Sequence, residues 1–181
     1  MKRTVKLDMA HTLINHGPCC LISTFDGKKA NIMTIAWSTP VNTEPPLVAV
    51  VIGEQAYSLK TILKTKEFAV NVPTKKLLKE TEYCGSVSGK KVDKFKIAGF
   101  TQIKAQKIKA PLIRECVAHL ECRLYKKYKF ADAYLLVARV VAAQVDAGLF
   151  DDHLRVDKLE AKTLHHLGGK YFTVPAGVIM L

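Results

Sequence analysis

Hydrophobic and polar positions alternate along this chain in short blocks, and most blocks have the period of a β-strand. Cys19 to Phe25 is an apolar run that ends in Asp26-Gly27, a dipeptide suited to a tight hairpin turn. Asn31 to Ser38 follows as the return strand; if it stays regular, Trp37 shares a face with Asn31, Met33 and Ile35. Leu47 to Ile52 is apolar at every position, which predicts a central strand covered on both faces. Glu67 to Val72 places Phe68, Val70 and Val72 on one face and Ala69 and Asn71 on the other. In Val117 to Tyr125 the residues Ala118, Leu120, Cys122 and Leu124 face in, and His119, Glu121 and Arg123 face solvent. Tyr134 to Val145 is a further long strand, apolar on both sides.

Helical spacing is rarer. Leu59, Ile62 and Leu63 follow Ser58, which reads as an N-cap. Leu77 and Leu78 mark a second helix after Pro73-Thr74, and a short third one near Val92 to Ala98 stops at Gly99. At least six strands with so few helices predict a closed, mainly antiparallel barrel with helical insertions. A doubly wound sheet fits less well, because the second half lacks the crossover helices that parallel strands need.

Composition narrows the class. The chain has 181 residues, 49% of them hydrophobic and 24% charged, an ordinary balance for one folded domain spanning 1–181. No apolar run approaches the ~18 residues of a membrane span, and the N-terminus lacks the continuous apolar stretch of a secretory signal. Five cysteines (Cys19, Cys20, Cys84, Cys116 and Cys122) form no CxxC pair. An odd count of free thiols predicts a reducing, cytoplasmic setting and no metal site. Lysine and arginine number 28 against 16 acidic residues, a net charge of +12. That surplus points to an anionic partner.

The familiar phosphate, zinc and nucleophile motifs are absent. Three segments remain. Asn31-Ile32-Met33-Thr34-Ile35-Ala36-Trp37-Ser38 mixes small, polar and aromatic residues, as a flat amphipathic ligand requires, though a core strand anchored by Trp37 has the same pattern. Cys84-Gly85-Ser86-Val87-Ser88-Gly89-Lys90-Lys91-Val92-Asp93-Lys94 offers backbone N–H groups and lysines to an anion, and also reads as a solvated loop; the lysines there would lower the pKa of Cys84. Leu164-His165-His166-Leu167-Gly168-Gly169 reads as a structural histidine pair more readily than as metal ligands.

These segments resemble the flavoredoxin and flavin reductase-like family, the FMN-binding split barrels. The likeness rests on NIMTIAW at 31–37, PPLVAV at 45–50, EFAVNVP at 67–73, YCGSVSG at 83–89, VDKF at 92–95, APLI at 110–113, LEC at 120–122 and LHHLGG at 164–169, which run in the family's order. The resemblance implies a six-stranded FMN-binding split β-barrel that forms a homodimer, with one FMN per subunit near the interface. It implies that the backbone of Thr34, Ile35 and Ala36 meets the flavin's polar edge, with Trp37 beside the ring. Asn31, Tyr57 and Ser58 would face the ribityl phosphate, and Asn71 the pyrimidine side. Cys84 borders a loop in which Ser88, Gly89 and Lys94 close over the cofactor, and Tyr171 packs against the ring. The family often carries a cation two residues before the aromatic at 57; here that position is Gln55, leaving the phosphate charge to Lys60 or Lys94. The flavin carries the chemistry, so no dedicated catalytic residue is expected.

The activity implied is an FMN-dependent oxidoreductase, either an NAD(P)H-dependent flavin or ferric reductase or an electron carrier between protein partners. Two other readings compete. A basic barrel could bind nucleic acid, but aromatics interleave with lysines only at Lys126-Lys127-Tyr128-Lys129-Phe130. A split barrel could hold haem through the histidine pair.

Overall fold

A computed structural model describes residues 2–180. Eleven strands and three α-helices follow one another as β1 (Cys20–Phe25), β2 (Ala30–Ile35), β3 (Ser38–Asn42), β4 (Leu47–Gly53), α1 (Tyr57–Thr65), β5 (Glu67–Val72), α2 (Leu78–Ser86), α3 (Lys94–Ala98), β6 (Gln102–Ile103), β7 (Leu112–Ile113), β8 (Ala118–Phe130), β9 (Ala133–Val145), β10 (His165–Gly168) and β11 (Tyr171–Thr173). Seven of the strands form one antiparallel sheet in the order β2-β1-β5-β8-β9-β4-β3.

The two outer strands of that order are consecutive in the chain. The strand expected to run unbroken from Asn31 to Ser38 stops at Ile35 and restarts at Ser38. At the break the Trp37 carbonyl accepts from the N–H of Val51 at 2.9 Å. The sheet therefore curls until its edges meet at Ala36–Trp37, and β2 and β3 act as one bent stave of a six-staved split barrel. The break also turns Trp37 outward, where it is 48% exposed, while Ile35 stays in the core.

Ile22, Ile35, Val50, Ile52, Phe68, Val70, Cys122, Leu136 and Ala138 fill the barrel, and Leu59 and Ile62 of α1 plug it. A second cluster, with Leu21, Ile32, Cys84, Phe95 and Phe100, fixes α2 and α3 on the outside of β1 and β2. The β1–β2 turn forms as expected: Asp26 Oδ1 accepts from the N–H groups of Lys28 and Lys29. Two helix starts differ from expectation. Helix α1 begins at Tyr57 with Ala56 as its N-cap and no capping side chain, so Ser58 lies inside the first turn. Helix α3 is capped by Asp93, which accepts from Lys96 N–H.

The outward face assigned to β8 is wrong at two of its three positions. His119 and Glu121 are buried, because the segment 103–112 folds over them. The Glu121 carboxylate accepts from the backbone N–H groups of Gln106 at 2.8 Å and Lys107 at 2.6 Å. Simple alternation counts faces, and cannot see a loop that covers the second face. Among the described residues, no helix is long and apolar enough to cross a membrane.

Candidate functional site

A cleft follows β2 past the barrel seam. Its first part, about 280 Å³, is lined by Asn31, Met33 and Thr34 of β2, by Gln55 to Ser58 at the start of α1, and by Cys84 to Gly89 and Lys94. The second part, about 320 Å³, shares Met33 and Thr34 with the first and continues along Ile35, Ala36 and Trp37 to His11, Asn15 and His166. A third, largely apolar part of about 400 Å³ shares His11, Asn15, Ala36 and Trp37 with the second and ends at Leu135.

Each wall has a cause in the sequence. Met33 to Ala36 line the second part consecutively, and β2 has β1 on one side only. Adjacent strand residues reach one cavity when they present the strand's edge, so unpaired backbone N–H and C=O groups face it. Helix α2 is held over β2 by the Thr34 hydroxyl, which donates to the Thr81 carbonyl. Gly85 lies so close that a Cβ there would sit 3.3 Å from that of Thr34. Lys29 Nζ donates to the carbonyls of Gly89 at 2.7 Å and Val92 at 3.1 Å, strapping the loop down.

The first part is built for an anion. At the start of α1 the N–H groups of Tyr57 and Ser58 have no partner among the described residues, no side chain caps them, and no acidic residue sits in that turn; the next, Leu59 N–H, is taken by the Ala56 carbonyl at 3.1 Å. Asn31 Nδ2 donates to Ser58 Oγ at 2.8 Å. Its Oδ1 is buried and accepts no hydrogen bond among the described residues. Gly89 packs on it so tightly that any Cβ would collide with Oδ1. Lys94 supplies a buried cation, its Nζ donating to the Cys84 carbonyl at 2.6 Å. Burial lowers the Lys94 pKa, partly offset by Cys84. An acceptor-poor, donor-rich cradle next to a flat slot suits a phosphate joined through hydroxyls to a planar ring, since hydroxyls can donate to Asn31 Oδ1.

Asn31, Tyr57, Ser58, Cys84, Ser88, Gly89 and Lys94 thus meet in the first part, and Thr34 to Trp37 in the second. Asn71 does not join them. Fully buried in β5, it donates to Leu21 O and Ser23 Oγ and accepts from Ile113 N–H and His119 Nδ1. It faces the 103–113 segment, on the side of β5 opposite to Phe68 and Val70. Tyr171 is 75% exposed on the β10–β11 hairpin and lines none of the three parts. Lys60 is exposed on α1 outside the cleft, which leaves Lys94 as the cation in the cradle. The lysines do not activate Cys84: burial outweighs Lys94 and raises the thiol to about 11.

Sequence reasoning missed Asn15 and His11, which lie in a segment without periodicity, and undervalued His166. The histidine pair is structural in part. His165 Nδ1 donates to the His16 carbonyl at 2.6 Å, and its Nε2 meets the Thr163 hydroxyl at 3.0 Å. His166 Nε2 donates to the Gly169 carbonyl at 3.0 Å. Both nitrogens of His165 and Nε2 of His166 thus serve the hairpin and its contact with the N-terminal segment.

The model of the flavin reductase-like domain matches residues 14–175. The chain belongs to this family. Its relatives include the protein YddH of Escherichia coli K12, 36% identical over 179 residues that cover 95% of each chain. Among solved structures, the flavoredoxin of Methanosarcina acetivorans matches with a TM-score of 0.85 at 26% identity, covering 100% of this chain and 95% of that one. An FMN-binding domain of a flavin reductase-like enzyme from Shewanella baltica matches with a TM-score of 0.82 at 25% identity, covering 99% and 96%. The flavin reductase-like fold is thus a mainly β split barrel with few helices, as the resemblance implied.

Proposed function

We infer that this family member is an FMN-dependent oxidoreductase that draws electrons from a reduced nicotinamide nucleotide and delivers them to a flavin, ferric or protein acceptor. The observation that carries the reading is the buried, unsatisfied Oδ1 of Asn31 within a cradle of α1 N–H groups and Lys94. The α1 N-terminus, Ser58 and Lys94 would hold the phosphate, Asn31 would accept from the ribityl hydroxyls, and the free edge of β2 would meet the polar edge of the ring. Bound FMN supplies two-electron and one-electron redox chemistry. The protein's share is to bind it, exclude water with the loop 84–94, and place a cation near the cradle.

A homodimer belongs to this reading. Beside the apolar wall of the cleft's third part, Val137 and Tyr128 continue the outer face of β9 and β8. An unpaired apolar sheet face of this kind suits a second copy of the chain. Five buried free thiols suit a reducing, cytoplasmic compartment.

A second reading, an electron carrier serving an acidic protein partner, draws on the net charge of +12 and the exposed Tyr125, Tyr128 and Phe130 among lysines at the β8–β9 tip. One experiment addresses both. The purified protein is reconstituted with FMN, and flavin absorbance is followed under anaerobic addition of NADH or NADPH. Stoichiometric FMN binding and rapid bleaching are expected. Failure to bind FMN overturns the flavin reading; binding without bleaching leaves the electron carrier.

A further inference from the structure

The N-terminal segment brings a side chain to the cleft that the cofactor reading does not use. Asn15 is 8% exposed and lies where the second and third parts of the cleft join. Its only side-chain hydrogen bond among the described residues is between Nδ2 and His166 Nδ1, at 3.3 Å.

The polarity of that bond is fixed from outside. The Gly169 carbonyl only accepts, so His166 Nε2 must carry a proton. The atom that faces Nδ1 is the Asn15 amide nitrogen, which only donates, so Nδ1 accepts a hydrogen bond from Asn15 Nδ2. Phe172, with its ring centroid 5.1 Å from that of His166, holds the imidazole in place. His165, bonded to the His16 carbonyl, ties the same hairpin to the chain next to Asn15. The amide of Asn15 is therefore oriented, and its Oδ1 and remaining N–H are left over. They are not sealed in, since Oδ1 is not among the fully enclosed unpartnered atoms and the side chain lines both cavities.

An acceptor and a donor side by side match the edge of a primary amide. The flavin's own amide-like edge has the unpaired backbone of β2 at hand, which leaves Asn15 for a second molecule. The third part of the cleft, walled by Trp37, Val51 and Leu135, gives an apolar slot for the ring that bears the amide. We propose that Asn15, oriented by His166, recognises the carboxamide of the nicotinamide substrate. This rests on the nicotinamide-dependent reading above and adds the residue that selects amide over acid. His166 is a positioning residue that acts through Asn15.

The test is calorimetric binding of two nucleotides to the FMN-loaded protein: NAD+, which carries the carboxamide, and nicotinic acid adenine dinucleotide, which carries a carboxylate. FMN affinity of each variant is measured in parallel. The native protein is expected to prefer NAD+ by tenfold or more. Asn15→Leu keeps the size and removes both donor and acceptor without adding a charge; it is expected to weaken NAD+ at least tenfold and to shrink the preference with FMN affinity unchanged. His166→Phe keeps the ring and removes Nδ1, and the preference between the two nucleotides is expected to shrink. An unchanged preference in Asn15→Leu overturns the proposal, as does a loss of FMN affinity instead, which would assign Asn15 to the cofactor. If FMN binds and neither nucleotide does, the proposal falls together with the nicotinamide donor, while the flavin site stands.

Discussion

Single residues in this protein have their roles set by what covers them. Gly89 is required by Asn31: the space a side chain would need holds the Asn31 amide. Gly89→Ala is expected to destabilise by about 1–3 kcal/mol, the usual range for overpacking, and to lower FMN retention, read by thermal denaturation and flavin fluorescence. If the variant melts like the native protein and keeps its FMN, the cradle is looser than its geometry implies. His119 shows burial acting on charge. It shares Asn71 Oδ1 with Ile113 N–H, and burial lowers its pKa below 6.5, with Asp146 and Glu121 pulling weakly the other way. A histidine kept neutral in the folded state binds fewer protons than in the unfolded chain. Its stabilising share is complete above about pH 6.5 and is lost as pH falls toward the lowered folded value. His119→Gln removes that titration while keeping a donor for Asn71. Melting temperature followed from pH 7.5 to pH 5 should fall less steeply in the variant; parallel curves would refute this.

At the scale of elements, what the sequence disclosed and what it hid follow one rule. Elements whose pattern reports their own packing were legible: the Asp26-Gly27 hairpin and α1 with Leu59 and Ile62 inward; the strand at Leu47 to Ile52 forms as β4, but its second face, with Val51, opens on the cleft instead of being covered. Elements shaped by distant chain were not. Nothing local says that 103–112 covers His119 and Glu121, or that Asn71 closes a polar knot under that cover. The cradle was largely visible, because α1, the 84–94 loop and β2 each carry their own signature. Asn15 was invisible, because its importance depends on a hairpin about 150 residues later. The interruption at Ala36–Trp37 likewise has no local mark; NIMTIAWS reads as one strand, and only the demand that the barrel close bends it.

For the whole molecule, charge and apolar surface divide the labour. The cradle uses one cation, Lys94, so most of the +12 lies on the surface. The outer face of β4 and β9 is apolar by contrast. Val137→Arg, whose side chain sits in the row between Lys126 and Ala49 and outside the cleft, places a charge against its own symmetry mate. Sedimentation should then show a monomer at concentrations where the native chain is a dimer, with the far-ultraviolet spectrum retained. A native chain that sediments as a monomer would instead remove the homodimer from the functional reading.

The seam has one more consequence. A sheet usually closes through strands far apart in sequence, and bringing such ends together costs chain entropy that grows with the length of the loop. Here the two edges are joined through residues 36 and 37, so the last gap costs almost no loop entropy once the other staves are in place. The short tie also fixes how far one edge can slide along the other. The slot beside β2 keeps its length through the same constraint that closes the wall, and the cleft inherits its rigidity from the covalent chain.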